Sequence, residues 1–388
     1  MPVNRPIYLD YNATTPVDPE VLAAMLPFFM EKFGNAASST HLYGWEANAA
    51  VSKARQAVAA LIGAPSATSI VFTSGATEAN NLALKGLVAA SRLSHPHLIT
   101  QKTEHGCILD TCHFLESQGA RITYLDVDSH GRVTPQQVES ALTDETVLVS
   151  IMSANNETGT VHPIADIAAI VHRHPHARFH TDAVQAAGKL PIDVEADGID
   201  LLSLSAHKCY GPKGIGALYL GKRRPPIALI PLLHGGGHEN GSRSGTLAVP
   251  LIAGFGKAAQ LARTRLSEDI ARVSGQRRRL LEHLTGAIDG IIVNGHPTDC
   301  LPNTLNLSIP GIDANTLIAA MPDLALSAGS ACASGSLAGS YVIDALCHDP
   351  ARVRSAVRIS LGRVTTDADV DSAGAILVKT INALARVK

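Results

Sequence analysis

The sequence has no Cys-x-x-Cys pair, and its six cysteines, at 107, 112, 209, 300, 332 and 347, are too few and too scattered to staple 388 residues. That removes a disulfide scaffold and argues against a zinc ribbon or a thioredoxin-like redox centre. A reduced, cytosolic thiol state is expected, with at least one cysteine working alone. Neither sign of charge dominates, since 32 Lys and Arg stand against 34 Asp and Glu. Nothing in that balance points to nucleic acid, a membrane surface or a polyanionic partner. Long apolar runs are missing as well: the stretch 21–30, interrupted by Pro27, is far shorter than the roughly 18 residues a membrane span needs. Residues 1–12 hold one arginine and no apolar segment, so they do not read as an export signal. The expectation is a cytoplasmic protein acting on a small molecule.

Two motif fragments are incomplete. His234-Gly235-Gly236-Gly237-His238 matches the oxyanion loop of α/β-hydrolases, but the Gly-x-Ser-x-Gly elbow that must accompany it is absent. The same two histidines lack a nearby carboxylate or cysteine set for a metal. Gly214-Ile215-Gly216 fails as a dinucleotide fingerprint because Tyr219 occupies its last position.

What is present is a regular alternation. Across 65–220, β-rich runs at 70–73, 97–100, 121–125, 147–152, 178–181 and 201–204 take turns with amphipathic stretches such as 78–90, 108–118 and 164–174. The pattern predicts an α/β fold with a mostly parallel sheet covered by helices, and ligands in such sheets bind beyond the carboxyl ends of the strands. After the glycine-rich segment 234–245, a long helix over 247–287 leads to a second region. It reads as strands near 291–294, 304–308 and 357–360 and helices near 314–321 and 367–387, a smaller α+β lobe.

Three predicted strand ends carry polar groups. Ser74-Gly75-Ala76-Thr77 lies where a strand hands over to a helix, suiting either a phosphate on free backbone N–H groups or an ordinary Ser/Thr cap. Asp182 ends a buried run, where a carboxylate needs a cationic partner, such as a pyridinium nitrogen or an arginine, unless it caps the next helix. Lys208 follows Ser205-Ala206-His207. At an apolar strand end, desolvation lowers a lysine's pKa, and such an amine forms a Schiff base with an aldehyde cofactor, Ser205 and His207 binding that cofactor's phosphate. A lysine snorkelling from the strand is the alternative. Cys332 sits in 327–336, a stretch of small residues with two glycines and no large apolar anchor. A thiol in such a loop is a candidate nucleophile, whereas structural cysteines belong in apolar strands and helices.

Taken in order along the chain, the segments 8–16, 72–78, 103–105, 155–159, 180–189, 205–208, 234–246, the Cys332 loop and 358–363 resemble the cysteine desulfurases, a branch of the class V aminotransferase-like, fold-type I pyridoxal-phosphate enzymes. So many matches in one order make the resemblance specific. It implies a large cofactor-binding domain over 15–257, with a mostly parallel mixed sheet, and a small α+β domain from 1–14 and 258–388 that carries the Cys332 loop.

The resemblance also implies roles. Lys208 holds pyridoxal 5'-phosphate covalently, Asp182 pairs with its ring nitrogen, Gln185 bonds the ring oxygen, and His105 stacks on the ring and moves protons. Ala76, Thr77, Ser205 and His207 take the phosphate, with Thr246 reaching in from the other subunit of a homodimer. Asn156 borders the cofactor and, with Arg358, receives the carboxylate of L-cysteine. Cys332 accepts the sulfur as a persulfide, leaving alanine, and passes it to an acceptor protein. The pathway stays open between iron–sulfur cluster assembly, tRNA thiolation and DNA phosphorothioation, and a selenocysteine or cystine lyase is the alternative activity.

Overall fold

Runs such as Leu-Leu-Ser-Leu-Ser, buried at every position, specify central strands, because only a strand covered on both faces can bury both sides of its alternation. The computed structural model describes residues 5–223, 225–329 and 339–386. In chain order the strands are β1 (Ile7–Tyr8), β2 (Ile70–Thr73), β3 (His97–Gln101), β4 (Arg121–Leu125), β5 (Thr146–Ser150) and β6 (Arg178–Asp182). They continue with β7 (Leu201–Ser205), β8 (Gly216–Leu220), β9 (Ile292–Asn294), β10 (Thr304–Ser308), β11 (Leu324–Ala325) and β12 (Ala356–Ser360).

Seven of these form one sheet in the order β2-β8-β7-β6-β5-β3-β4. β4, β3, β5, β6 and β7 are parallel, while β8 runs antiparallel to both β7 and β2. The two reversals cancel, so β2 ends at the same sheet edge as β6 and β7. That single fact brings Ser74-Gly75-Ala76-Thr77, Asp182 and Lys208 to one side of the molecule. The sheet is α/β and mostly parallel, as the alternation predicts; the antiparallel strand β8 and the helix Leu42–Leu61 are additions that the periodicity did not announce.

The reason for the missed helix is compositional. Its buried positions, Gly44, Ala47, Val51, Ala54, Val58 and Leu61, keep helical spacing, but alanine and glycine give little apolar contrast with the exposed face. Small residues are required there: a Cβ placed on Gly256 of the helix Val249–Ala287 would lie 2.5 Å from Ala54 Cα. The 39-residue helix Val249–Ala287 starts with Pro250 in its first turn, where the missing N–H costs nothing. Its first half buries Ile252, Phe255 and Ala259 against the large sheet, and its second half buries Leu280 and Leu284 in a separate core. That second core joins β10 and β12 to the helix Asp367–Ala385 and to Leu9, and β9 completes their antiparallel sheet in the order β12-β10-β9. No helix among the described residues is long and apolar enough to cross a membrane.

The segment around His234–His238 turns out to serve the sheet edge. Glu239 and Asn240 both adopt left-handed backbone, with φ of 52° and 53°, a conformation that non-glycine residues keep only when tertiary contacts enforce it. The enforcing contact is a part-buried ion pair in which Arg55 donates to both Glu239 oxygens at 2.7 and 2.6 Å. Glu239 also accepts from Phe72 N at 2.7 Å, and Arg55 donates to Ile70 O. Carboxylate and guanidinium thus occupy the unpaired N–H and C=O of the edge strand β2 as a neighbouring strand would, blunting an edge that would otherwise invite pairing.

Candidate active site

The carboxyl ends of the strands open onto a cleft of about 380 Å³. Of the residues singled out from sequence, Ala76, Thr77, His105, Asn156, Asp182, Gln185, Ser205, His207, Lys208 and Arg358 all line it. They arrive from far apart: Arg358 from β12 of the smaller sheet, Asp182 from the end of β6, Lys208 from the turn after β7. Thr246 is exposed and lies outside the cleft within one chain. Cys332 lies outside the described residues.

Three features show what the cleft fits. The helix Ala76–Ala90 begins at Gly75 with no side-chain cap, so its N-terminal N–H groups are left for a ligand and the Ser/Thr-cap alternative does not apply. A Cβ on Gly75 would meet nothing within 4 Å. Asp182 is buried, and its oxygens accept from Asn80 Nδ2 at 2.7 Å and from Val184 N at 2.9 Å, with no cation paired to it among the described residues. A buried carboxylate in that state is completed by a cationic group entering the cleft. Lys208 Nζ donates to the carbonyls of Asn12 at 2.5 Å and Ala13 at 2.7 Å. An amine, an unpaired carboxylate and an uncapped helix N-terminus around one cavity match the aldehyde, ring nitrogen and phosphate of pyridoxal phosphate.

His105 caps the helix Gly106–Ser117, its Nδ1 accepting from Cys107 N at 3.2 Å. An accepting Nδ1 leaves the proton of the neutral ring on Nε2. Burial lowers the pKa of His105, Asp182 opposing and Lys208 assisting, so the neutral ring prevails near pH 7. His207 is likewise kept neutral: burial, then Lys208 and Lys213, pull it down to about 4. It meets Thr14 Oγ1 through Nδ1 at 3.1 Å. At the other end of the cleft, Arg358 is 1% exposed and donates to Asp10 Oδ1 at 2.7 Å and to Asn156 O at 3.0 Å. Its Nε and the Oδ1 of Asn156 are buried without partners, a donor and an acceptor left for a polar substrate.

Sequence reasoning missed four contributors. Asn80, fully buried one turn after Thr77, orients Asp182, and its burial could not be read from the sequence. Asn12 and Ala13 hold Lys208 through backbone carbonyls, which side-chain identity cannot reveal. Asn155 shapes the turn that presents Asn156, its Oδ1 accepting from Glu157 N and Thr158 N at 2.9 Å each.

Glu104, next to His105, is fully buried, and only its Oε1 is bonded, to Met152 N at 2.6 Å and Gln101 Nε2 at 3.1 Å. Burial pushes its pKa up to about 8, the Met152 N–H opposing and Asp182 adding to the rise. The raised folded pKa means that its contribution to stability is complete below the unfolded value of about 4.3 and is lost as pH climbs to about 8. Glu104→Gln therefore melts near the wild type at about pH 4.5 and increasingly above it toward about pH 8.5. Thermal melts of both proteins across that range check this; a pH-independent difference contradicts it.

The chain matches the family model described as Aminotransferase class-V over residues 7–372. It is 51% identical over 379 residues to the cysteine desulfurase IscS of Anaeromyxobacter sp. (strain Fw109-5), covering 98% of this chain and 93% of that protein. A solved NifS-like protein superposes with a TM-score of 0.89 at 37% identity, covering 98% of this chain and 99% of the other. SspA, solved in complex with cysteine, superposes with a TM-score of 0.81 at 40% identity over 91% of this chain and 98% of its own. The chain belongs to the class V aminotransferase family and, within it, to the pyridoxal-phosphate-dependent cysteine desulfurases.

Proposed function

We propose that the protein removes sulfur from L-cysteine, leaving L-alanine, and carries that sulfur as a persulfide on Cys332 to an acceptor protein. The observation that carries this reading is the convergence of Lys208, Asp182 and the uncapped helix N-terminus on one cleft, with Arg358 at its other end. Bound pyridoxal phosphate supplies the electron sink that makes the bonds at the α-carbon of an amino acid labile.

The chain's own groups do the rest. Lys208 Nζ would hold the cofactor through its aldehyde and, as a free amine, would move the substrate's α-proton. Asp182 holds a proton on the ring nitrogen. Ser205, His207, Ala76 and Thr77 bind the phosphate, Gln185 the ring oxygen, and Asn156 with Arg358 the substrate carboxylate. His105, with its proton on Nε2, moves protons at the reacting carbon and sulfur. The Cys332 thiolate attacks the substrate sulfur: a sulfur–sulfur bond forms, the carbon–sulfur bond breaks, and its electron pair stays on carbon, which takes a proton to become the methyl of alanine.

Other parts of the reading concern assembly. Leu26, Phe29, Met30, Phe33 and Trp45 are all more than half exposed, an apolar face that a second copy would cover. In such a homodimer Thr246 of the partner subunit completes the phosphate site. Residues 15–257 act as the cofactor-binding domain, and 1–14 with 258–388 as the small domain. The five described cysteines are all free thiols, in keeping with a reducing cytoplasm, and the IscS relative favours iron–sulfur cluster assembly as the destination of the sulfur. Incubation of the holoenzyme with L-cysteine and a thiol reductant should release alanine and sulfide in equal amounts. Pyruvate and ammonia in place of alanine would refute the proposed reaction.

A further inference from the structure

Lys189 is a half-buried charge that the proposed chemistry leaves unused. It ends the segment after β6 and does not line the cofactor cleft. Its Nζ donates to Gln185 Oε1 at 2.7 Å and to Asn12 Oδ1 at 3.2 Å, both neutral amide oxygens. Burial draws its pKa down to about 7, Lys208 and then Arg358 pulling the same way and Cys209 opposing. A half-buried lysine held by two neutral amides has no ion pair among the described residues to offset its partial desolvation. Its retention needs another reason.

The reason lies in what lysine cannot do. In its ammonium form Lys189 only donates, and the amide beside it then turns its oxygen toward it. Gln185 therefore gives Oε1 to Lys189 and Nε2 to the cleft side, where one N–H reaches Asn12 O at 3.0 Å. That carbonyl also receives Lys208 Nζ, and the Asn12 side chain receives Lys189, tying both lysines to one residue. With an apolar neighbour, the Asn12 carbonyl alone would hold the Gln185 amide in this sense, and the amide would reverse more readily to point an acceptor at the cofactor's oxygen.

We propose that Lys189 is a positioning residue: it locks the Gln185 amide so that only its N–H end faces the oxygen substituent of the bound pyridine ring, an inference that rests on the reading of the cleft given above. Lys189→Met tests it, with Gln185→Ala and the double variant alongside. The apo Lys189→Met protein should stay folded and melt close to the wild-type temperature, because relief of the half-buried charge offsets the lost bonds to Gln185 Oε1 and Asn12 Oδ1. Its holo form should release pyridoxal phosphate about tenfold faster, the loss of one hydrogen bond to a charged group. The pH midpoint of the cofactor's visible band should rise, since both a donor and a nearby positive charge are gone while Lys208, Arg358, Asp182 and Cys209 are unchanged. In the Gln185→Ala background, Lys189→Met should no longer speed release. Wild-type release, or an equal acceleration in the Gln185→Ala background, overturns the proposal. Failure of the wild type to take up cofactor on Lys208 would instead overturn the reading of the cleft, and it is seen before any variant is compared.

Discussion

Asp182→Asn should lower turnover by a factor on the order of 10² or more while leaving the fold and cofactor uptake in place. The carboxylate is buried and unpaired by any cation among the described residues, so the charge serves the ring nitrogen that enters the cleft. A neutral amide cannot hold that nitrogen protonated, and the electron sink is lost. The fold tolerates the change for a local reason. The substituted amide keeps an oxygen for Val184 N, and Asn80, whose Oδ1 has no partner, can reverse its own amide to accept the new N–H. Steady-state rates with L-cysteine, a thermal melt and the cofactor spectrum separate these effects. Near-normal turnover removes Asp182 from the mechanism.

Cys332→Ser should still bind pyridoxal phosphate and L-cysteine, yet its release of alanine and sulfide should fall to background. Serine is a poor acceptor of sulfur, and the other thiols do not replace it. Cys107 lines the cleft, but burial, reinforced by Asp182, pushes its thiol up to about 12. Burial likewise holds Cys112 at about 12 and Cys209 at about 11. At neutral pH these three are almost wholly protonated and poor nucleophiles. Cys347 Sγ is bonded to Ile343 O at 3.2 Å, and neither it nor Cys300 lines the cleft. Full turnover in the serine variant would mean that sulfur leaves by another route.

Much of this was legible in the sequence because strand ends announce themselves. The apolar runs before Asp182 and Lys208 are short, β-rich and followed at once by a polar residue, and parallel topology then places such residues on one side. The sequence did not reveal the strand that makes that convergence complete: β8 reverses direction twice over, and it alone returns β2 to the same edge. The helix Leu42–Leu61 escaped because close packing on Val249–Ala287 favours alanine and glycine over apolar bulk. The glycine-rich segment 234–245 suggested a metal or an oxyanion loop; its partner in the fold is the strand edge, through Glu239 and Arg55, a pairing 184 residues apart that no local pattern encodes. Asn80, Asn12 and Lys189 act by orienting other groups, so nothing in their immediate surroundings marks them.

The most direct test of the central claim follows the sulfur itself. Holoenzyme given a brief pulse of L-cysteine, then alkylated, digested and analysed by mass, should carry one additional sulfur on the peptide that contains Cys332. The label should disappear when a thiol reductant is added before alkylation. Additional sulfur on the peptides of Cys107, Cys112, Cys209, Cys300 or Cys347, or on none of them during active turnover, would contradict Cys332 as the carrier.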